Sequence, residues 1–255
     1  MKKSILTIFL FFTLSFCQIQ YGGSPKFLDI RTINIISPES GNIIDRNFDP
    51  MVFEYGIEYG MDINVLDQAI TVYDNDEVTF LLAFYSKGAY GIGLNFDRFY
   101  LTENSKLFIY DSTESYYLGA LTSNNNKRDN IFSTSIIKGE TIVLELTLPI
   151  DEVENIQLNI NSIIHDSTDI LNYHGTHNDN SREDCNTNVI CSDGDDWRDQ
   201  INGVVRVSMG SGLCSASVVN NTENDRTPYI LFADHCVSGN ASGYVFYFNY
   251  QSTSC

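Results

Sequence analysis

The stretch "TIVLELTLP", Thr141 to Pro149, sets Ile142, Leu144, Leu146 and Leu148 against Thr141, Val143, Glu145 and Thr147. That period of two is what a β-strand shows when one of its faces meets a core. "IQLNI" repeats the pattern with Ile156, Leu158 and Ile160, and "EVTFLLAFY", "AYGIGLNFDRFYL" and "KLFIY" are further strand candidates rich in aromatic and β-branched residues. Turn chemistry separates them in "SKG", "TENS", "SNNN" and "KGE". Several strands at this spacing between Glu77 and about Ile164, with no amphipathic helical stretch among them, predict an all-β antiparallel sandwich. Residues 19 to 76 carry a weaker pattern and are expected to include irregular structure.

At 255 residues, 43% of them hydrophobic, the chain exceeds one typical domain, and two are expected. Met1 to Gln18 begins with Lys2 and Lys3, continues as an apolar run from Ile5 to Leu14 and ends in "SFC", the layout of a secretory signal peptide with cleavage near Cys17. The run is too short for a membrane span, which takes about 18 apolar residues or more. Lipidation of Cys17 is disfavoured by the large Phe16 before it. The expected location is therefore extracellular, where disulfides form. A net charge of -18 repels the phosphates of nucleic acid, so no nucleic-acid partner is expected; its plain meaning is a solvated acidic surface.

Asp166 to Asp184, "DSTDILNYHGTHNDNSRED", is polar and reads as an exposed linker. His165, His174 and His177 lie in or beside it at a spacing that matches no metal signature, so no metal site is assigned to them. Beyond it come four more strand-like runs, "GVVRVSM", "LCSASVV", "YILFA" and "YVFYFNY". No nucleotide, dinucleotide, CxxC or HExxH motif occurs, and no cofactor is expected. Cys185, Cys191, Cys214, Cys236 and Cys255 all follow Asp184.

In "YILFADHC" an apolar strand ends in a polar turn that carries His235 to the rim of a sheet. An imidazole there can take a proton from a hydroxyl and return it to a leaving group, provided a nucleophile and an orienting acid are in place. A bond between Cys214 and Cys236 would tie the histidine turn to the neighbouring strand; zinc ligation by the same residues is the rival use, disfavoured by the oxidising compartment and the absence of a close CxxC pair.

"CNTNVIC", "GDDWRDQINGVVRV", "LCSASVVNNTENDRTPYILFADHC" and "YVFYFNYQSTSC" together resemble the amino-terminal part of the secreted lysyl endopeptidase-like peptidases, a branch of the chymotrypsin-like serine peptidases. "GLNFDRFYL", "KLFIY" and "IIKGETIVLELTLP" resemble, less specifically, the propeptides of these bacterial enzymes. The resemblance implies that His235 is the general base, that Cys214 pairs with Cys236 and Cys191 with Cys255, and that Cys185 awaits a partner further along the catalytic domain. Ala216 stands where the family usually has Gly. Asp234, adjacent to the base, is not the triad acid, and Ser211, Ser215 and Ser217 read as structural.

The resulting expectation has four parts: a signal at 1–18, a sandwich propeptide at 19–165, a linker at 166–184, and at 185–255 the first half of a trypsin-like double β-barrel. The parent would hydrolyse polypeptides, with a lysine preference implied by the branch it resembles. The triad Asp and a GDSGG-like serine are absent from this sequence, so the chain as given reads as truncated and inactive. The alternative is a non-catalytic extracellular β-sandwich binding protein with a decayed peptidase remnant.

Overall fold

The computed structural model describes residues 20–28, 33–171, 188–223, 225, 227–237, 240–251 and 255. The expected signal, Cys17, His174, His177, Cys185 and most of the expected linker lie outside them. In chain order the strands are β1 (Asn34–Ile36), β2 (Asn42–Ile43), β3 (Phe53–Glu54), β4 (Gly56–Asn64), β5 (Ile70–Asp74), β6 (Glu77–Tyr85), β7 (Gly91–Tyr100), β8 (Lys106–Asp111) and β9 (Tyr117–Leu121). They continue with β10 (Phe132–Ser133), β11 (Ile137–Lys138), β12 (Thr141–Pro149), β13 (Gln157–Asp166), β14 (Val204–Met209), β15 (Gly212–Val219), β16 (Tyr229–Leu231) and β17 (Val245–Phe248). Helical structure among the described residues is confined to short turns, so the fold is all-β.

Two six-stranded sheets form the sandwich, one ordered β1-β6-β12-β8-β9 with β5 also on β6, the other β10-β7-β13-β4-β2 with β11 also on β7. The alternation of β12 is its register: Leu144 lies beside Leu82 on one side and Ile109 on the other, and all three are fully buried. Ile92, Leu94, Phe96, Ile160 and Ile163 meet them from the facing sheet. The sandwich starts well before Glu77, at strands the sequence pattern did not mark, and it is not wholly antiparallel, since β1 runs parallel to β6.

The second face of β12 is also covered. Val143 and Glu145 are buried beneath the arm Gln20–Leu28, where Phe27 and Leu28 pack on Leu81, Ala83, Phe108 and Tyr110. The backbone N–H of Lys26 donates to Glu145 Oε1 at 2.6 Å, and that of Tyr21 donates to the Ala120 carbonyl at 2.9 Å. An alternating pattern therefore marked one buried face where the fold has two, because the cover is supplied by residues far away in sequence.

A third sheet, β16-β15-β14-β17, holds the C-terminal segment and stays open. Its inner face gathers Val205, Val207, Met209, Ala216, Cys236 and Tyr244. Its fifth strand comes from upstream: β3 pairs antiparallel with β15, Phe53 beside Leu213 and Glu54 beside Gly212. Tyr55, fully buried, then donates its hydroxyl to the Gly210 carbonyl at 2.7 Å and meets Ser208 Oγ at 3.1 Å. Gly210 turns the β14–β15 hairpin with a φ of 64°, and a Cβ there would strike the ion pair of half-buried Arg46 with buried Glu58. Glycine is required at that position both by conformation and by space.

Candidate active site

Strand β16 delivers the histidine. Tyr229 and Leu231 face outward, Ile230 packs on the third sheet's core, and Ser217 and Val219 of β15 lie beside Leu231 and Tyr229. The chain then leaves the sheet at Phe232, whose ring lies 6.1 Å from those of Tyr244 and Phe246. A single helical turn, Asp234–Cys236, follows, closed by Cys236 N–H on the Ala233 carbonyl at 3.0 Å and Val237 N–H on that of Asp234 at 3.0 Å. His235 sits half-buried at this rim.

Cys236 is bonded to Cys214 on β15, with Cα atoms 6.1 Å apart, and Cys191 is bonded to Cys255, with Cα atoms 4.8 Å apart. The first bond spans 22 residues of sequence; closing a loop of that size constrains the unfolded chain by about 3 kcal/mol in the chain-entropy description. It also pins the turn bearing His235 to the strand beside it. A nitrogen of the imidazole lies within 4.8 Å of both sulfurs. Because the sulfurs are bonded to each other they offer no thiolates, so this grouping does not hold zinc.

His235 opens onto a cleft of about 520 Å³. Cys214, Ser215 and Ala233 form part of its wall, Met51, Phe53 and Ile170 come from upstream, and Arg206 and Tyr250 complete it. The guanidinium carbon of Arg206 stands 4.2 Å from the ring centre of Tyr250 and 5.1 Å from that of Tyr247, a cation set in the corner of two rings that meet edge to face with their centres 6.4 Å apart. Burial pushes the Tyr247 hydroxyl up to about 12, against the opposing charge of Arg206. Burial raises Tyr250 as well, and its hydroxyl donates to the Ile170 carbonyl at 3.1 Å.

Sequence reasoning missed Arg206, Met51 and Phe53. The one available signal for the arginine was a lone charge inside the apolar run "VVRVSM"; the other two lie in a segment with no periodicity. Among the described residues, the His235 ring makes no hydrogen bond to a hydroxyl or a carboxylate. Ser215 shares the cleft without bonding to the ring, Ser211 is buried in the hairpin, and the exposed Asp234 is not among the cleft residues. His165 lies elsewhere, with Nδ1 2.7 Å from Ser86 Oγ. Since that hydroxyl donates to Glu39 at 2.8 Å, the imidazole is the donor to Ser86, a structural bond. The site thus presents a proton acceptor at a sheet rim, a fixed cation and apolar walls; a nucleophile would have to be brought to it.

Residues 179–255 match the family described as lysyl endopeptidase, C-terminal domain. The matched stretch contains all of β14 to β17, both disulfides and His235.

Proposed function

We propose that residues 185–255 carry the general base of a secreted chymotrypsin-like serine endopeptidase, and that residues 19–165 are its prosegment, reached through a connection at 166–184 after a signal at 1–18. The observation that carries this reading is the placement of His235: at a sheet rim, tied by Cys214–Cys236, facing a cleft with apolar walls. Similarity of the surrounding segment to lysyl endopeptidase supports it.

In this reading His235 accepts the proton of a serine hydroxyl as that oxygen attacks a peptide carbonyl, then returns it to the departing amine. The disulfide reduces the entropy lost in holding the imidazole for that transfer. The serine, the acid that fixes the ring's tautomer and the oxyanion donors belong to further residues of the peptidase domain. Preference for lysine is the finest part of the proposal; the net charge of -18 would favour approach of cationic substrates.

The test is to read the coding sequence past Cys255, express the extended chain and assay peptide amides with lysine, arginine or an aromatic residue before the scissile bond. Cleavage after lysine is expected, falling by a factor on the order of 10⁴ or more in His235→Ala. The 20–255 chain should show no turnover that His235→Ala removes. A frame that closes without an acid and a serine, or an extended enzyme indifferent to His235→Ala, would overturn the reading.

A further inference from the structure

Among the described residues that line the His235 cleft, Arg206 is the only one with a permanent charge. Its neighbours on β14, Val205 and Val207, enter the third sheet's core, so the alternation of the strand turns Arg206 to the opposite face. There it lies beside Ser215 on β15 and Tyr247 on β17. The rings of Tyr247 and Tyr250 hold the guanidinium, and Tyr250 is itself tied to the Ile170 carbonyl. Arg46 and Arg198 pair with Glu58 and Asp195, but among the described residues Arg206 pairs with no carboxylate, and its buried Nε meets no acceptor.

A half-buried guanidinium with a fixed orientation and no counter-charge attracts an anion, the more strongly as water is excluded, and its planar fork matches a carboxylate. Ser215, exposed in the same cleft, adds a hydroxyl donor. Residues directly opposite in an antiparallel pair have Cβ atoms about 4.5–5.5 Å apart, close enough for one carboxylate to reach both. We propose that Arg206 and Ser215 form a carboxylate-binding subsite of the His235 cleft, so that a peptide bound there presents an acidic side chain or its chain-terminal carboxylate beside His235. That the ligand is a peptide rests on the endopeptidase reading above; the carboxylate preference rests on the surroundings of Arg206. The net charge of -18 repels anions at long range, so this subsite selects by contact and not by steering. A lysine-directed peptidase with such a subsite favours chains in which a lysine and a carboxylate lie close together.

Binding tests this without any catalytic activity. Acetylated and amidated AAKAA peptides with Glu or Gln at each position flanking the lysine, and AAKAA with a free or an amidated C-terminus, are titrated into the parent, Arg206→Gln, Arg206→Lys and Ser215→Ala. Nuclear magnetic resonance follows the Nε–H of Arg206 and the backbone amides of Leu213 and Ser215. The expected result is that a carboxylate peptide shifts these resonances and binds the parent about tenfold more tightly than its neutral counterpart, the worth of one charge-assisted hydrogen bond. Added salt should narrow that gap, and Ser215→Ala should narrow it further. Arg206→Gln should abolish it, while Arg206→Lys, which keeps the charge and loses the fork, should retain part of it. A gap at an internal Glu assigns the carboxylate to a substrate side chain; a gap confined to the free C-terminus assigns it to the cut end of a product. Each variant is checked for the Cys214–Cys236 bond and an unchanged melting transition. Should Arg206→Gln unfold the sheet, Ser215→Ala, at an exposed position, and the parent's own preference still decide the matter. Equal affinity for carboxylate and neutral peptides in the parent, no binding of any of them, or a gap that survives Arg206→Gln would overturn the proposal. Each of these results leaves the peptidase reading standing, and a failure of hydrolysis in the extended chain leaves the binding result standing.

Discussion

The sandwich and the third sheet are built from similar sequence, short apolar runs between polar turns, yet they reach burial differently. In the sandwich, β12 has Ile142, Leu144, Leu146 and Leu148 in the core on one face and Val143 and Glu145 under the N-terminal arm on the other. In the third sheet, β15 becomes exposed past Ala216, and Leu231 on β16 is 63% exposed. The sandwich supplies both layers of its own core; the third sheet is one layer that takes a strand, β3, and a buried tyrosine from the other region. It relies on cross-links where the sandwich relies on area, as small sheets that cannot bury enough apolar surface do.

This contrast breaks if equal truncations cost the same in both regions. Leu144→Ala removes buried methyl groups from between two facing sheets and should lower stability by about 3 kcal/mol, whereas Leu231→Ala should change it by less than about 0.5 kcal/mol. Urea unfolding of both variants measures the difference. Comparable losses would mean that β16 is covered by something that the described residues do not include.

The dependence of the third sheet on the sandwich is sharpened by Tyr55→Phe. The variant keeps the ring and removes one hydroxyl, which takes that partner from Ser208, 153 residues away in sequence, and from the Gly210 carbonyl, 155 residues away. The Gly210 carbonyl keeps the hydroxyl of Ser208 as a donor at 3.2 Å, so the expected loss is that of one buried hydrogen bond, about 1 kcal/mol. Hydrogen exchange should quicken at Val205 and Val207 while Leu82 and Leu144 stay protected. Uniform loss of protection would show instead that the two regions unfold as one unit.

Sequence and structure agree where the determinants are local. Ile142 to Leu148 and Ile156 to Ile160 announce their strands because the pleat and the burial share one period. "YILFADHC" announces a strand that ends in a turn, because its apolar run stops at a polar tripeptide. The position of β3 was not legible: two paired residues in "PMVFEY" carry no period, and their partner is fixed by tertiary fit. The cover over Val143 and Glu145 was hidden for the same reason. Of the site, His235 and the cysteines could be read from residue type and order, but Arg206 could be seen as special only once Tyr247 and Tyr250 were in place against it.

The smallest expected effect concerns where acid sensitivity resides. The buried carboxylates among the described residues are Glu58, Asp111, Glu145 and Asp166, all on the sandwich strands; none of them lies in the third sheet. Burial raises Glu145 above its ordinary value of 4.5, and the N–H groups of Lys26 and Phe27, the Tyr110 hydroxyl and the Lys26 charge offset this only in part. A carboxyl raised in the folded state binds protons more readily there than in the unfolded chain. Its contribution to stability is therefore complete below the unfolded value and is lost as pH rises through the folded one. Glu145→Gln keeps an oxygen to accept the Lys26 N–H and cannot ionise. The parent's stability should consequently fall relative to the variant's as pH rises from about 4.5 towards neutrality. Every other titrating group, including Asp166, acts equally in both proteins and cancels in the difference. Thermal unfolding of the pair across that range measures it. A difference that stayed flat, or that favoured the parent at neutral pH, would mean that the arm's N–H groups stabilise the carboxylate more than burial penalises it, and that the arm is held by charge as well as by Phe27 and Leu28.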